Sequence, residues 1–507
     1  MRRSLLVYVL CAAVAAIGMV IPASARSAML VKATTTTTVA TDVTSSDYDT
    51  WVTITAKVTS PGATPTGSVT LTDISNGSVL ATPALKNGTA TFRTAALAPG
   101  NRKIQAHYNG STAFAASTSA GISFLVSSFS SVANAYQINP AHDGFQKSGA
   151  PNAESVLFFD RWHVTFGQDT EVSYPLIAGG RVFVTINQPL SSGGCCTSVQ
   201  ALDAKTGSTD WGAQVSGTMA SSTLAYDGQR VFVLNRDGTL TAYAAATGSV
   251  IWSKRLTGQI SFMAPPTAYN TNVYVSGAGN GGTLYAVSEA SGAVRWTAPV
   301  KNGDGSSPAV DNSGVFLSFA CHQDYRFSFH GTVMWHKDPG CQGLRGSTPA
   351  LHGSRVYMRG DGDYPLIYDK ASGTQLSSFV SDAPPAFFSD MYLLQGGKVA
   401  DASQTGGGTL GRWTFGDGTL VLPAVVGGSY VYAVSRGGDV YAIDSSTGNQ
   451  VWTVNVGVRV NGGPTAGMAL GNNLLVVPAG STLSAFGDSS LTSPVTRHPA
   501  LAGQPTH

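Results

Sequence analysis

The sequence predicts an all-β protein in two parts, a small sandwich of short strands followed by a ring of repeated four-stranded sheets. Three observations predict it. Among the 507 residues only 11% are charged and 59 are Gly, whereas an average soluble domain has roughly 25% charged residues. Short alternations of apolar and polar residues recur between turn signals along the chain. A sequence motif that ends in Trp recurs about every 40 residues from Trp162 onward.

The charge balance argues against partners that are recognised mainly by charge. The chain has 30 Lys and Arg residues and 28 Asp and Glu residues, which leaves a formal net charge of +2. Such a chain offers no strongly basic or acidic surface. We therefore expect no nucleic-acid partner.

The N-terminus has the three regions of a secretory signal peptide. Arg2 and Arg3 precede an apolar run over residues 5–21, and small residues follow at 23–25. Residues 1–25 are therefore predicted to be a signal peptide that is removed after Ala25, which makes the mature protein secreted, extracellular or associated with a cell surface. No later run approaches the ~20 apolar residues of a spanning helix, so no transmembrane segment is expected in the mature chain.

Residues 30–126 have the pattern of a small β-sandwich. Alternating segments at 51–58, 67–71 and 89–92 are separated by turn signals that include Asn76-Gly77 and Asn87-Gly88. The stretches TPTGSVTL, NGTATF, LAPG and IQAHYNGSTAFAAS resemble the bacterial immunoglobulin-like (Ig-like) repeat of secreted and cell-surface proteins. That resemblance implies a spacer or an adhesive module. Residues 127–154 are then expected to be a linker and lead-in.

The Trp repeat fixes the organisation of the second part. The interval between Trp335 and Trp413 is twice the usual spacing, and Gly373, four residues before Ser377, marks a copy that lacks its Trp. Eight units result. Seven of the eight Trp occupy the repeated position: Trp162, Trp211, Trp252, Trp296, Trp335, Trp413 and Trp452.

Each unit contains three short β-rich segments, a Thr-Gly or Ser-Gly turn, and a strand with the Trp, which is the strand count of one β-propeller blade. The last unit lacks a Trp strand, and the first Trp strand lacks three strands before it. Pairing the two would close the ring and remove an exposed edge. We predict an eight-bladed β-propeller over residues 155–488, with the Trp rings docked between blades, and a disordered tail over 489–507.

The repeated phrase also resembles a known family. The pattern A-x-D-x-x-T-G-x-x-x-W, complete from Ala201 to Trp211, resembles the pyrroloquinoline-quinone (PQQ)-like propeller repeat, and residues 139–145 resemble the lead-in of that family. Eight blades are shared there by quinoprotein alcohol dehydrogenases and by the propeller lipoprotein of outer-membrane protein assembly. The resemblance implies the fold, but one fold hosts many activities.

All four cysteines of the predicted mature chain fall in loops on one face of such a propeller. Cys321 and Cys341 lie in adjacent loops and are predicted to form a disulfide. Cys195 and Cys196 are neighbours in sequence, and three states stay open for them: a strained vicinal disulfide with a structural role, pairing elsewhere or reduction, or a lid over a cofactor as in quinoprotein alcohol dehydrogenases.

The polar residues of the inter-blade loops are candidates for the rim of the central channel. They are Glu171, Asp304, Arg345, Asp382, Asp417 and Arg459. His322, Asp324, His336 and Asp338 lie near Cys321, but their spacing matches no zinc signature, and no metal is expected there.

The sequence favours a secreted bacterial scaffold that binds a protein, peptide or cell-wall glycan through its loop face. We expect no catalytic residue and no cofactor. One alternative is a quinoprotein alcohol dehydrogenase with PQQ and calcium, for which Cys195 and Cys196 would be the lid. Another is a glycan-active enzyme that uses carboxylates such as Asp304 and Glu171.

Overall fold

A computed structural model describes residues 32–47, 52–94, 97, 100–127, 132–155, 158–187, 197–303, 305–338, 345–361, 365–403, 410–463 and 465–487. Every regular element in these ranges is a β-strand, which confirms the all-β prediction. Within the same ranges, no helix has the length and apolar character needed to cross a membrane. The predicted signal peptide and the predicted tail lie outside the described residues.

Nine short strands form a sandwich at the start of the described chain: β1 (Thr36–Thr41), β2 (Ser45–Asp47), β3 (Val52–Thr59), β4 (Val69–Asp73), β5 (Ser78–Ala81), β6 (Thr89–Thr94), β7 (Gly100–Tyr108), β8 (Ser117–Thr118) and β9 (Ile122–Ser127). One sheet has the order β1-β3-β6, and the other has the order β2-β9-β7-β4-β5 with β8 beside β7. Along β3, Val52, Ile54, Ala56 and Val58 are buried and the residues between them are not. This period of two places their side chains in the core between the sheets.

The repeats fold into eight consecutive sheets. After β10 (Phe145–Gln146) and β11 (Phe159–Thr165), sheet 1 contains β12 (Glu171–Val172), β13 (Leu176–Ala178), β14 (Arg181–Asn187), β15 (Ser198–Asp203) and β16 (Thr209–Gln214); sheet 2 contains β17 (Ser222–Asp227), β18 (Arg230–Asn235), β19 (Thr239–Ala244) and β20 (Val250–Arg255); sheet 3 contains β21 (Thr267–Tyr269), β22 (Asn272–Ala278), β23 (Gly282–Ser288) and β24 (Val294–Pro299); sheet 4 contains β25 (Ala309–Asp311), β26 (Gly314–Phe319), β27 (Gln323–Phe327) and β28 (Val333–Lys337).

The remaining sheets follow the same plan. A short ladder joins β29 (Arg345–Gly346) to β32 (Gly360–Asp361). Sheet 5 contains β30 (Ala350–His352), β31 (Arg355–Met358), β33 (Leu366–Asp369) and β34 (Gln375–Ser378); sheet 6 contains β35 (Ala386–Phe388), β36 (Asp390–Gln395), β37 (Lys398–Ala402) and β38 (Leu410–Phe415); sheet 7 contains β39 (Val425–Gly427), β40 (Tyr430–Val434), β41 (Asp439–Asp444) and β42 (Gln450–Asn455), with β10 beside β39; sheet 8 contains β43 (Ala469–Gly471), β44 (Leu474–Ala479), β45 (Thr482–Gly487) and β11.

Sheet 8 joins the two ends of the repeat region. Strand β11 pairs antiparallel with β45, from Phe159 opposite Gly487 to Thr165 opposite Thr482. The first strands of successive sheets also contact one another, in the series β13-β17-β21-β25-β30 and again in the series β35-β39-β43-β13. The first and last sheets are therefore neighbours.

The antiparallel order gives the sheets two distinct ends. The turns between first and second strands, and the Thr-Gly turns between third and fourth strands, lie at one end, called here the turn face. The loops between second and third strands, and the connections from one sheet to the next, lie at the other end, called here the loop face. Cys321, between β26 and β27, is on the loop face.

The repeated Trp contacts the turn of the following sheet. The Trp211 Nε1–H donates to Ala245 O at 2.9 Å. A Cβ added to Gly248, whose φ is +71°, would lie 2.5 Å from Cε3 of the Trp211 ring. Each of five further indoles donates in the same way to a carbonyl of the next sheet: Trp162, Trp252, Trp296, Trp335 and Trp413.

Trp452 and Ser377 depart from this pattern. Sheet 8 has no turn between its third and fourth strands, because β45 and β11 are not consecutive in the chain. Trp452 instead packs against Phe158 and Phe486, with ring centroids 4.6 Å and 5.3 Å away. Near Ser377, Phe379 is buried against Tyr357.

Hydroxyl groups near the axis link one sheet to the next. The Thr185 Oγ1–H of sheet 1 donates to Ser222 O of sheet 2 at 2.8 Å. The Ser276 Oγ–H of sheet 3 donates to Ser306 O at 2.5 Å, and the Ser318 Oγ–H of sheet 4 donates to Arg359 O at 3.0 Å. These hydroxyl groups are tolerated in the interior because each keeps a hydrogen-bond partner there.

The segment before β11 occupies the axis of the repeat region. Its carbonyls accept hydrogen bonds from the first strands of five different sheets: Asn134 O from Tyr226 N, Pro140 O from Val310 N, Ala141 O from Leu351 N, Asp143 O from Phe387 N and Gly144 O from Val426 N. At its ends, Ala133 forms a bridge with Ile177, and the Gln146 Nε2–H donates to Leu470 O. This part of the predicted linker, residues 132–149, is therefore internal to the fold, and we call it the axial segment.

Candidate functional site

The described residues form a cavity of about 120 Å³ on the loop face, where sheets 8, 1 and 2 meet. Polar residues such as Glu171, Asn187, Asn461 and Thr465 line it together with Leu422. The volume is below the ~300–1,000 Å³ of pockets for drug-sized ligands. The cavity is therefore large enough for a side chain or a small group.

Glu171 is the acidic residue of this cavity. It stands in β12, directly opposite Asn187 of β14, whereas the sequence indicated an inter-blade loop. Asn187 is held in place because its Oδ1 accepts from Ser222 N at 3.0 Å. The Glu171 side chain is exposed and no hydrogen bond or ion pair joins it to another described residue.

The axial segment forms the floor beneath the cavity. Tyr174, a lining residue, donates through its hydroxyl to Leu224 O, and its ring meets Tyr136 of the axial segment edge-on at 5.4 Å. Burial raises the pKa of both phenols, so they are neutral hydrogen-bond donors at physiological pH.

Below Tyr136, the axial segment buries ionisable groups. His142 is fully buried, with Nδ1 3.3 Å from Pro349 O, and burial lowers the pKa of its imidazole to about 3. Burial also raises the pKa of Asp143 to about 6, against hydrogen bonds from Phe145 N and the Asn139 side chain. Both shifts follow from the cost of keeping a charge away from water.

The same segment contains strained backbone and an unsatisfied amide. Gln137, Ile138 and His142 have φ values of +52°, +76° and +54°, which non-Gly residues rarely adopt. The Gln137 side chain is 2% exposed, and neither Nε2 nor Oε1 has a hydrogen-bond partner among the described residues. Sequence reasoning missed this internal role, because only the resemblance of residues 139–145 to a family lead-in pointed to it.

Exposed apolar side chains also lie on the loop face. Met219, Ile260 and Met263 lie in the connections from sheet 1 to sheet 2 and from sheet 2 to sheet 3, and they are 41%, 67% and 41% exposed. Ile260 covers Gly279, where an added Cβ would lie 2.1 Å from its Cγ1. Exposed apolar groups gathered on one face are typical of interaction surfaces.

The other predicted rim residues do not gather around the cavity. Asp382 accepts from Gly396 N at 2.5 Å, and Asp417 accepts from the Thr419 hydroxyl, which lowers its pKa. Arg345 is in the short ladder with β32, and Arg459 is exposed. Asp304 lies outside the described residues.

The polar residues near Cys321 lie within hydrogen-bond distance of one another. The His322 Nδ1 is 3.4 Å from Asp324 Oδ2, and both side chains are buried. The Gln323 amide lies between His336 and Asp338, at 2.9 Å from His336 Nε2 and 2.7 Å from Asp338 Oδ1. Within the described residues, no three His, Cys, Asp or Glu side chains are placed to hold a metal ion.

Cys321 is disulfide-bonded. Cys195, Cys196 and Cys341 lie outside the described residues. The pairing of Cys321 with Cys341 and the state of the vicinal pair thus remain predictions.

The described lining of the cavity does not fit PQQ. This quinone carries three carboxylates, which call for cationic partners, and the cavity lining contains Glu171 but neither Lys nor Arg. Beneath the cavity, Tyr136 and His142 of the axial segment occupy the interior, where His142 is fully buried and Tyr136 is almost fully buried. We therefore derive no chemistry through a quinone.

Comparison with known proteins agrees with this architecture. The family described as outer membrane protein assembly factor BamB matches residues 196–322 and 395–491. The bacterial Ig-like domain (group 3) matches residues 33–127. The chain is therefore a PQQ-like repeat protein, and more particularly one with an N-terminal bacterial Ig-like domain.

Two relatives match part of this chain. Outer membrane protein assembly factor BamB of Moranella endobia (strain PCIT) is 28% identical over 46% of this chain and 56% of its own length. Tetrathionate hydrolase of Acidithiobacillus ferrooxidans is 26% identical over 32% of this chain and 36% of its own length. The chain thus spans about half of the first relative and about a third of the second.

A europium-containing methanol dehydrogenase has a similar fold, with a TM-score of 0.56 and 12% identity over 70% of this chain and 98% of that chain. At this identity the likeness concerns the fold alone.

Proposed function

We propose that this chain is an extracellular, non-catalytic scaffold that binds a protein through the loop face of an eight-bladed propeller. The observation that carries the proposal is that three exposed apolar side chains, Met219, Ile260 and Met263, lie in connections of the same loop face as a polar cavity. A methionine-rich apolar surface adapts to the shape of a partner. The match to a family described as an assembly factor supports a protein rather than a glycan or peptide as the ligand.

The eight sheets are, in this proposal, the blades of a closed ring over residues 155–488. Three features support closure: β11 pairs with β45, the first strands of sheets 8 and 1 contact each other, and the axial segment bonds to sheets around the axis. The sandwich over residues 30–126 is then a spacer, joined through residues 127–154.

Ring closure can be tested by a cross-link between the strands from the two termini. Thr165 and Thr482 are paired, and their hydroxyl oxygens are 3.1 Å apart. Cysteines at both positions (T165C with T482C) are expected to form a disulfide and raise the resistance to unfolding, with T165C alone as the control. Failure of the double variant to cross-link under oxidising conditions contradicts a closed ring.

The proposed location is outside the cell or at its surface, after removal of residues 1–25. The disulfide of Cys321 is consistent with an oxidising compartment, and we propose Cys341 as its partner and a vicinal bridge for Cys195 and Cys196. N-terminal sequencing of the protein from the culture medium is expected to give Arg26 first. An intact residue 1 in an exported fraction would contradict the proposal.

The binding surface is tested by photo-cross-linking in the native host. A photoreactive residue in place of Ile260 probes the loop face, and one in place of Lys205 probes the turn face as a matched exposed control. A discrete protein adduct at position 260 and none at position 205 is expected. The partner, identified and purified, should then bind the Ile260→Asp variant at least tenfold more weakly.

Two results would overturn this function. Equal adducts at both positions would contradict a loop-face site. Oxidation of alcohols with a dye acceptor after loading with PQQ and Ca²⁺ would contradict a non-catalytic protein.

A further inference from the structure

The charge and shape of the loop-face cavity identify which part of a polypeptide it can receive. We infer that the cavity beside Glu171 binds a lysine or arginine side chain of the protein partner. This inference rests on the proposed function, because it assigns one contact within the proposed interface.

Glu171 is the one acidic residue that lines the cavity, and the lining contains no Lys or Arg. Within the described chain, no salt bridge up to 4.0 Å involves Glu171. Arg459, in the connection from sheet 7 to sheet 8, is exposed. A carboxylate in this state attracts a cation and repels an acidic group.

The hydrogen-bonding groups of the lining also favour a basic side chain. Ammonium and guanidinium groups have several N–H donors and no acceptor. Among the residues that line the cavity, Glu171, Asn461 and Thr465 have side-chain oxygens that can accept hydrogen bonds. Asn187 and Ser173 are already fixed by bonds to Ser222 N and Thr185 N, so that side of the cavity is preorganised.

The apolar part of the lining favours the aliphatic stem of a basic side chain. Val172, Leu422, Ala466 and Pro478 share the cavity with these polar groups. Lys and Arg place an aliphatic stem against apolar surface while the charged head reaches polar partners. Outside the cavity, the exposed Met219 continues the apolar surface along the connection to sheet 2. A basic side chain flanked by apolar residues therefore fits both the cavity and its surroundings.

The test compares three probes on the full-length protein: N-acetyl-Leu-Lys-Leu-amide, the same tripeptide with norleucine, and the same tripeptide with glutamate. Binding is followed by NMR saturation transfer and titration at low salt. The lysine peptide should bind at least fivefold more tightly than the other two, and Glu171→Gln should remove about that factor, as expected for one partly exposed ion pair. Glu154→Gln, an exposed carboxylate on the turn face, should leave binding unchanged.

Three outcomes overturn the inference: equal binding of the norleucine peptide, unchanged lysine binding in the Glu171→Gln variant, or a Glu171-dependent response to a neutral cell-wall glycan fragment instead. These outcomes are separable from a failure of the proposed function. If position 260 still cross-links a protein, the loop face binds a partner without a basic side chain in this cavity. If it does not, the proposed function fails as well.

Discussion

The Trp211 indole lies directly on Gly248 of the following sheet, so close that an added Cβ would be 2.5 Å from its Cε3. Gly248 also has a φ of +71°, a conformation that L side chains rarely adopt. Gly248 is thus restricted to glycine both by its backbone conformation and by the Trp ring of the preceding sheet. The same Trp–Gly contact recurs along the repeat.

Gly248→Ala is therefore expected to destabilise the protein by about 2–4 kcal/mol, from the backbone penalty and from displacement of the buried ring. Gly353→Ala is the matched control. Gly353 has a φ of +55°, and nothing lies within 4 Å of its added Cβ, so only the backbone penalty of about 1 kcal/mol applies. Chemical unfolding measures both. Equal losses would mean that the Trp–Gly contact does not stabilise the fold.

A buried pair of carboxyl groups between sheets 2 and 3 makes stability depend on pH. Burial and the nearby Asp227 raise the pKa of Glu289 to about 8. Burial also raises the pKa of Asp227, and the charged or ionisable neighbours of the pair are Arg230, Arg295, Tyr274 and Tyr269.

In the folded state Glu289 keeps a proton that the unfolded chain releases above about pH 4.5. The contribution of Glu289 to stability therefore falls as pH rises from about 4.5 to about 8, by up to about 1.4 kcal/mol per pH unit. Glu289→Gln is expected to remove this contribution, so the fall in stability above about pH 6.5, where His142 no longer contributes a slope, should flatten in unfolding measurements at a series of pH values. Glu171→Gln, at an exposed site, should keep the wild-type slope. An unchanged slope in Glu289→Gln would contradict the prediction.

His142 of the axial segment is expected to be essential for stability. Its imidazole is fully buried and in reach of Pro349 O and the Thr267 hydroxyl. His142→Ala would leave a cavity and unpaired polar groups, for a loss of about 2 kcal/mol or more. His163→Ala is the control, because the His163 side chain is 55% exposed.

The same histidine predicts sensitivity to acid. Its pKa is lowered to about 3 in the folded state, whereas the unfolded value is about 6.5. The unfolded chain thus binds an extra proton between these values, and the contribution of His142 to stability is lost as pH falls from about 6.5 to about 3. Between about pH 4.5 and 6.5 this contribution opposes that of Glu289. A His142→Phe variant that folds should lose this component. If its acid unfolding matches that of the wild type, the assignment is wrong.

The proposed Cys321–Cys341 bridge would close a loop of about 20 residues, worth roughly 3 kcal/mol in the chain-entropy model. Cys321→Ser and Cys341→Ser should each lower stability by a similar amount, and the double variant by no more than either. Peptide mapping without reduction should show the linked pair. Additive losses, or a Cys321 peptide linked to position 195 or 196, would refute this pairing.

The sequence was sufficient for features that repeat. The spacing of Trp and Gly predicted a series of sheets with the same strand plan, because each unit packs on its neighbour through the same Trp–Gly contact. It also showed that the strand with Trp162 has no preceding strands of its own unit to pair with. Trp452 shows the limit of this reasoning. Its position followed from the repeat, but its partners, Phe158 and Phe486, come from opposite ends of the repeat region.

Only the tertiary structure decided where unrepeated residues go. The axial segment has no periodicity, and Pro140, Ala141 and Asp143 each bond to a different sheet. Glu289 interacts electrostatically with Asp227 because adjacent sheets bring two turns close together. Glu171 lines a cavity only because sheets 8, 1 and 2 come together there. Local sequence determines the contacts that recur between consecutive repeat units. The burial and pairing of these single residues depend instead on chain segments that folding brings together.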